Sequence, residues 1–279
     1  MRPTLLLVLF ALAGSAQPPA PTYIPQTKFN SGQDVVPVYE GWLKNSDGTF
    51  TFVFGYFNRN WKEELVIPAG PNNRLEPGPI DRGQPTYFLP RRQSWVFRVS
   101  VPADWGNKEL VWTLTAHGRS EKAYASLLPE EEISERIIMT RGNLNPGEDD
   151  PNQPPMVTIA PVPAATAGQP VALTAMVVDD GLPKPRAAPQ PRSGAIPGAQ
   201  SNTATAARPR GLTVTWFEYG GPAQVVFDPA GPILVANGQI SATARFAEPG
   251  TYMLRAIAND GALQTTADVI VKVTSGSSK

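Results

Sequence analysis

The chain has 279 residues, with 24 Lys and Arg against 24 Asp and Glu, one histidine and no cysteine. The balanced charge argues against nucleic acid or acidic lipid as partners, and the lack of cysteine excludes disulfides, thiolate metal sites and a lipidated N-terminal cysteine. With 31 Pro, 24 Gly and almost no helical period, the sequence predicts an all-β protein with many turns.

The first sixteen residues have the three parts of a secretory signal peptide. Arg2 supplies the positive region, residues 5–12 form an apolar run too short to cross a bilayer, and Gly14-Ser15-Ala16 is a small-residue cleavage site. A chance apolar start of a cytosolic protein is the alternative. Since no later apolar stretch is long enough to span a membrane, we expect an exported mature chain without a transmembrane segment, in the periplasm, at the cell surface or outside the cell.

The next part of the chain has the alternation of β-strands. In residues 47–57, DGTFTFVFGYF, four aromatic residues fall on one face of a strand, and Asp47-Gly48 marks a hairpin turn before it. Alternation returns at 95–101 and 110–116. Residues 68–90 are crowded with Pro and Gly, which predicts an ordered connection without regular structure across a β-sandwich.

These segments carry a resemblance to a known module. GYFNRN at 55–60, the Pro-rich string at 66–92, WVFRV at 95–99 and WTL at 112–114 resemble a β-sandwich module of secreted bacterial surface proteins. The resemblance covers residues 35–128 and implies a bacterial cell-envelope setting. It brings no catalytic residues to transfer.

The C-terminal half ends in a predicted hairpin, residues 248–273, whose turn is Asn259-Asp260-Gly261. Together with PPMVTI at 154–159, AGQPVALTAMVVDDG at 167–181 and LTVTW at 212–216, it resembles the polycystic-kidney-disease (PKD) and related immunoglobulin-like modules of bacterial exported proteins. The resemblance implies a sandwich with Trp216 in the core and Tyr252 as a corner tyrosine that bonds the backbone.

One segment departs from that pattern. Residues 183–210 contain five cations, no acid and no large side chain beyond Ile196, which predicts a disordered basic insertion. Two readings stay open: an idle loop, or a basic tether for an anionic envelope polymer or an acidic partner.

The predicted fold is therefore two β-sandwich (immunoglobulin-like) domains in tandem. In chain order we expect a signal peptide (1–16), a Pro-rich extended arm (17–34), an N-terminal sandwich (35–128), an acidic linker (129–155), a PKD-like sandwich (156–273) with the insertion 183–210, and a flexible tail (274–279).

Catalytic patterns are missing from the sequence, so we predict a protein that is not an enzyme, with no catalytic, cofactor-binding or metal-ligating residues. His117 is the single histidine, and no nucleophile elbow, phosphate loop or dinucleotide fingerprint accompanies it. The adjacent acids Glu63 and Glu64 do not suit a glycosidase pair, because neighbouring residues on a strand point to opposite faces.

Calcium is the one ligand that the acids invite. Glu148, Asp149 and Asp150 lie at the junction, with Asp179-Asp180 and Asp260 in later turns. Ca²⁺ needs six to eight converging oxygens, and the alternating acids of a dedicated loop are missing. We therefore predict no tight site, and expect Asp180-Gly181 and Asp260-Gly261 to act as turn residues whose side chains bond their own backbone.

Two functions remain open. The first is a non-catalytic structural or interaction protein of the bacterial cell envelope or extracellular space. The second is a carbohydrate-binding or accessory module of a surface enzyme system. The partner would be an envelope protein or glycan and not nucleic acid, and the sequence specifies no oligomeric state. The deciding feature is whether five aromatic residues are exposed or buried, and we expect most in the core: Tyr56, Phe57, Trp61, Tyr87 and Trp105.

Overall fold

The computed structural model describes residues 28–143, 149–184 and 211–276. Within these ranges the chain forms seventeen strands, one short 3-10 helix and one short α-helix. The prediction of an all-β chain with two β-sandwiches in tandem is confirmed. The predicted signal peptide, most of the arm and residues 185–210 of the basic insertion lie outside the described residues.

The first sandwich is built from eight strands. They are β1 (Val35–Lys44), β2 (Phe50–Asn58), β3 (Leu65–Val66), β4 (Asn73–Glu76), β5 (Tyr87–Phe88), β6 (Arg91–Val101), β7 (Leu110–Ala116) and β8 (Arg119–Ala125). β1, β2 and β6 form one antiparallel sheet, β4, β7 and β8 form another, and β3 pairs with β5.

The core of this sandwich is aromatic, as the alternation in β2 predicts. Phe52 and Phe54 are fully buried, and the Phe54 ring meets Trp112 of the opposite sheet edge to face, with centroids 5.7 Å apart. Burying rings of this size is a large stabilising contribution, and the tilted geometry suits their quadrupoles. The strand period therefore places Phe52 and Phe54 on the face toward the opposite sheet, while Val53 on the other face of β2 is buried in a separate cluster.

A single buried asparagine orders the long connection between β3 and β6. The Asn73 amide nitrogen donates to the carbonyls of Ile67 and Pro85, both at 2.8 Å, and its amide oxygen accepts from the Trp112 indole at 2.9 Å. These bonds tie the two ends of the Pro-rich segment to the core. The prediction that residues 68–90 are ordered is confirmed, but the expectation that they form no regular structure is wrong, because β4 and β5 lie inside the segment.

The second sandwich has nine strands. They are β9 (Met156–Ile159), β10 (Ala165–Thr166), β11 (Pro170–Val178), β12 (Thr213–Gly220), β13 (Val225–Asp228), β14 (Ile233–Leu234), β15 (Gln239–Phe246), β16 (Gly250–Asn259) and β17 (Gln264–Thr274). One sheet has the order β10-β17-β16-β12-β14 and the other has β13-β15-β11-β9.

Both features implied by the immunoglobulin-like resemblance are present. Trp216 is buried, and the fully buried Tyr252 donates its hydroxyl hydrogen to the Glu248 carbonyl at 2.8 Å. The closing hairpin pairs β16 with β17 from Gly250 opposite Val273 to Asn259 opposite Gln264. Packing between these sheets takes the place of the disulfide that related sandwiches use.

The segment that follows β8 packs on the first sandwich. It contains a 3-10 helix (Pro129–Glu131) and α1 (Glu135–Met139), whose N-cap Ser134 accepts a bond from the Ile137 amide. Ile138 is buried against Leu43 and Val53. The start of the acidic linker is thus attached to the first sandwich through Ile133 and Ile138.

Candidate functional site

The two sandwiches meet at Tyr219, near the end of β12. The Tyr219 hydroxyl donates to the Gly83 carbonyl at 2.7 Å, and its own carbonyl accepts from the Thr86 amide at 3.2 Å. Gly221 donates its amide to the Thr86 hydroxyl at 3.2 Å. Backbone as well as side chains therefore joins the Pro-rich connection of the first sandwich to the second.

Arg255 of β16 makes a second link between the sandwiches. Its guanidinium pairs with both oxygens of Asp268, at 2.6 and 2.7 Å, and stacks 4.2 Å from the Tyr219 ring centroid. The remaining nitrogen donates to the Val96 carbonyl of the first sandwich at 2.5 Å. A bidentate pair that also stacks holds the guanidinium in one orientation.

A pair of carboxylates lies where the sandwiches meet. Glu218 is 2% exposed, accepts from the Val225 amide at 2.9 Å with one oxygen, and has no hydrogen-bond partner for the other. Burial raises the pKa of Glu218 to about 8, and the charge of Glu64 in the first sandwich adds to the rise. Glu64 itself accepts from the Tyr87 hydroxyl and from the Gln224 amide, the latter at 2.9 Å. The junction therefore contains an acid that is neutral at neutral pH.

A cavity of about 450 Å³ lies beside these links. Trp95, at a left-handed φ of 60°, lines it together with Arg255. Its charged walls are paired with each other, because Arg98 makes a bidentate pair with Glu135 at 2.6 and 2.8 Å and Arg255 pairs with Asp268. We find no set of groups here that is arranged for chemistry.

Asp180 and Asp260, two of the acids considered for calcium, are used in turns, while Glu148 lies outside the described residues. Asp260 accepts from the amides of Ala262 and Leu263 at 2.6 and 2.7 Å, and its second oxygen accepts from the Asn152 amide at 3.1 Å. Asp180 accepts from Leu182 at 2.9 Å. The prediction that these residues bond local backbone is confirmed. Among the residues described, no group of three or more His, Cys, Asp or Glu side chains is placed to hold a metal ion.

We expect millimolar Ca²⁺ to leave the melting temperature unchanged relative to chelator, because the oxygens of Asp180 and Asp260 are engaged by amides and no cluster of acids is placed to hold a metal ion in the described chain. The measurement is thermal unfolding of the mature protein in Ca²⁺, in Mg²⁺ and in chelator. A rise of several degrees with Ca²⁺ but not with Mg²⁺ would contradict this, since only a ligand that binds the native state shifts the transition.

The histidine and the two adjacent acids serve separate contacts. The His117 ring nitrogen lies 3.2 Å from the Glu63 carboxylate, and the same carboxylate accepts from the Gly32 amide at 2.6 Å. Glu64 instead reaches the junction. Glu63 and Glu64 diverge as expected, although they precede β3 and do not lie on a strand. The sequence did not predict the contact between His117 and Glu63, because 54 residues separate them.

The five aromatic residues that discriminate the two functions are mostly buried. Tyr56, Tyr87 and Trp105 are buried, Phe57 is half-buried, and Trp61 is 42% exposed. The expectation that most belong to the core is confirmed. Trp61 is the exception, and it lies in an open groove of about 400 Å³ at one end of the first sandwich.

We call this groove the aromatic groove and define it by three rings and three cations: Phe29, Phe57, Trp61, Lys28, Arg59 and Arg91. The Arg91 guanidinium lies 4.7 Å from the Phe57 ring centroid and 4.3 Å from that of Trp61, and the Lys28 amine lies 4.5 Å from the Trp61 centroid. This grouping could not be predicted from the sequence, because its members come from three separate segments.

No family model and no curated protein matches the chain. Among solved structures, a conjugative transposon lipoprotein from Bacteroides eggerthii is similar at 13% identity and a TM-score of 0.28, over 42% of this chain and 96% of its own. The D00-D0 domain of intimin is similar at 10% identity and a TM-score of 0.29, over 86% of this chain and 99% of its own. A chimeric titin Z1Z2 is similar at 11% identity and a TM-score of 0.26, over 87% of this chain and 98% of its own. At these scores the similarities carry no functional inference.

In the part of the chain that the structure describes, no helix is both long enough and apolar enough to cross a membrane.

Proposed function

We propose that the protein is an exported, non-catalytic interaction protein of the bacterial cell envelope. We further infer a sandwich at 35–128 and a PKD-like sandwich at 156–273, joined through the segment 129–155. The observation that carries the proposal is the junction, where Tyr219 and Arg255 bond the backbone of the first sandwich. A pair of sandwiches held in this way presents its surfaces in a constant arrangement, which suits binding better than chemistry.

The polar groups support a role without catalysis. His117, Glu63 and Glu64 are each engaged in contacts that stabilise the fold, and no nucleophile stands beside a base that a third group orients. This statement covers the described residues, 28–143, 149–184 and 211–276. Glu218, with its raised pKa, is buried beneath the junction and has no access to a substrate.

Export is tested by sequencing the N-terminus of the native protein after cell fractionation. We expect a mature chain that begins near Gln17 and is found in the periplasmic, surface or medium fraction, because residues 1–16 have the three parts of a signal peptide. A cytoplasmic chain that retains Met1 would overturn the proposal.

The interaction role is tested by cross-linking in intact cells. The wild-type protein should form specific cross-linked species, and a variant with Tyr219→Ala and Arg255→Ala should lose some of them, because the junction no longer holds the sandwiches in place. Turnover of a substrate by the purified protein would instead favour an enzyme.

The second candidate, a carbohydrate-binding module, is favoured by one observation. Trp61 stays exposed in a groove while Tyr56, Tyr87 and Trp105 are used in the core.

A further inference from the structure

We propose that the aromatic groove binds an acidic polysaccharide, with the carboxylates of its sugar units paired to Arg91 and Lys28. The inference rests on the proposed interaction function and names the chemistry of one partner.

The guanidinium of Arg91 is held in one orientation by its neighbours. Arg91 lies over both Phe57 and Trp61, and its guanidinium also donates to the Arg59 carbonyl at 3.1 Å. Contacts with two rings restrict a side chain that would otherwise sample many rotamers. A bound carboxylate therefore meets a guanidinium that is already oriented.

Two of the three cations of the groove have no carboxylate partner. In the described chain neither Lys28 nor Arg91 forms an ion pair with a carboxylate. Residues 1–27, which precede Lys28, contain no Asp or Glu. Arg59 pairs with the completely buried Asp34 at 3.4 Å, so the charge of Arg59 is already balanced. The surface of the groove is therefore complementary to a negative partner.

Arg91 also has an unusual backbone conformation. Arg91 has a φ of 67°, in the left-handed region that disfavours a residue with a β-carbon, and such conformations cost on the order of 1 kcal/mol or more. Glycine or asparagine would fit this backbone with less strain. The contacts of the Arg91 guanidinium with Phe57, Trp61 and the Arg59 carbonyl hold the side chain in this position.

The main chain is already paired along one side of the groove. The amides of Arg59, Trp61 and Lys62 donate to the carbonyls of Asp34, Phe29 and Asn30, at 3.1, 2.9 and 3.1 Å. A peptide that binds by strand addition needs free backbone groups, which this side does not offer. Recognition on this side therefore uses the exposed rings and cations.

The groups of an acidic sugar match the side chains of the groove. Phe29 and Trp61 are 49% and 42% exposed and offer apolar surface to the carbon–hydrogen bonds of a sugar ring, while Gln33 supplies an amide for hydroxyl groups. The guanidinium of Arg91 suits a carboxylate. Nucleic acid would also use rings and cations, but a chain with zero net charge and a pI near 6.6 does not have the basic character of such binders.

The test is calorimetric titration of the mature protein with a polymer of galacturonic acid. Neutral dextran, polyglutamate and a single-stranded oligonucleotide are the comparison ligands. We expect binding of the galacturonate polymer that weakens in high salt, with much weaker binding of the other three. No binding of the galacturonate polymer, or equal binding of polyglutamate or the oligonucleotide, would overturn the proposal.

The variants locate the site. Arg91→Asn keeps a residue that tolerates the left-handed backbone and removes the cation, so we expect affinity to fall about tenfold, the equivalent of about 1.4 kcal/mol. Arg141→Asn is the matched control, because Arg141 is also an exposed arginine with a left-handed φ, of 58°, and it lies outside the groove. Equal affinities of the two variants would contradict the proposal.

Trp61→Ala separates the aromatic contribution from charge alone. We expect it to weaken binding without changing the net charge, and its melting temperature shows whether it is folded. If Trp61→Ala does not fold, the Arg91→Asn result decides. Failure of the groove to bind leaves the test of export and cross-linking unaffected, so the two proposals fail separately.

Discussion

Replacing Glu218 with glutamine is expected to stabilise the protein at alkaline pH and to flatten the decline of its stability with pH. Burial raises the pKa of Glu218 from 4.5 to about 8. Between these two values the native protein holds a proton that the unfolded chain has released, so the free energy of unfolding falls as pH rises through this range. Above it, both states are ionised and the native state keeps an uncompensated buried charge.

The expected size follows from that linkage. Glutamine has nearly the shape of the protonated acid and can still accept from the Val225 amide, so the variant and the wild type should have similar stability near pH 5, about where the unfolded side chain ionises. The rise of the pKa from 4.5 to about 8 corresponds to a limit of about 5 kcal/mol, and since solvent screening reduces it, at about pH 9 the variant should be more stable by roughly 3 to 5 kcal/mol. The measurement is urea unfolding across this pH range.

Two further variants control this result. Glu248→Gln changes an exposed acid two residues before β16 and should leave the pH profile unchanged. Glu64→Gln removes the charge that adds to the rise in the Glu218 pKa, so it should flatten the profile less than Glu218→Gln does. The other ionisable groups influenced by Glu218 are the hydroxyls of Tyr87 and Tyr252, whose pKa values burial raises further above their ordinary range. Parallel profiles for wild type and Glu218→Gln would show that another group controls the alkaline loss.

Asn73→Ala is expected to lower the free energy of unfolding by about 3 to 5 kcal/mol. The substitution removes three buried hydrogen bonds and leaves the carbonyls of Ile67 and Pro85 and the Trp112 indole without the asparagine as partner. A buried polar group that loses its partner retains the full desolvation penalty, which is why the expected loss exceeds that of an ordinary surface substitution.

Asn72→Ala is the matched control, because it removes the same side chain from the adjacent, exposed position. We expect it to change stability by less than about 0.5 kcal/mol in urea unfolding. If the two variants differed by less than about 1 kcal/mol, the connection between β3 and β6 would have to be ordered by something other than Asn73.

The features that could be predicted are those that depend on near neighbours in the chain. Alternation placed Phe52 and Phe54 in the core because side chains on a strand alternate between two faces. Tyr252 reaches a carbonyl only four residues away, and Asp260 bonds amides two and three residues on. Contacts of this range are determined by local backbone geometry, which residue types reveal.

The features that could not be predicted join distant parts of the chain. Asn73 looks like an ordinary loop residue, but its partner Trp112 is 39 residues away. Arg255 reads as the outward residue of a strand, and it bonds Val96 at a separation of 159 residues. Neither contact leaves a periodic signal, because each depends on how two sheets or two sandwiches pack.

The sequence by itself determined the all-β class, the tandem sandwiches, the core faces and the turn chemistry, because strand period and turn residues act over a few positions. Only the tertiary structure decided that Glu218 is buried near Glu64, and that Lys28, Trp61 and Arg91 share one groove. The physical reason is that burial and charge pairing depend on which distant segments exclude water from a side chain. The sequence of one strand does not reveal which distant segment packs against it.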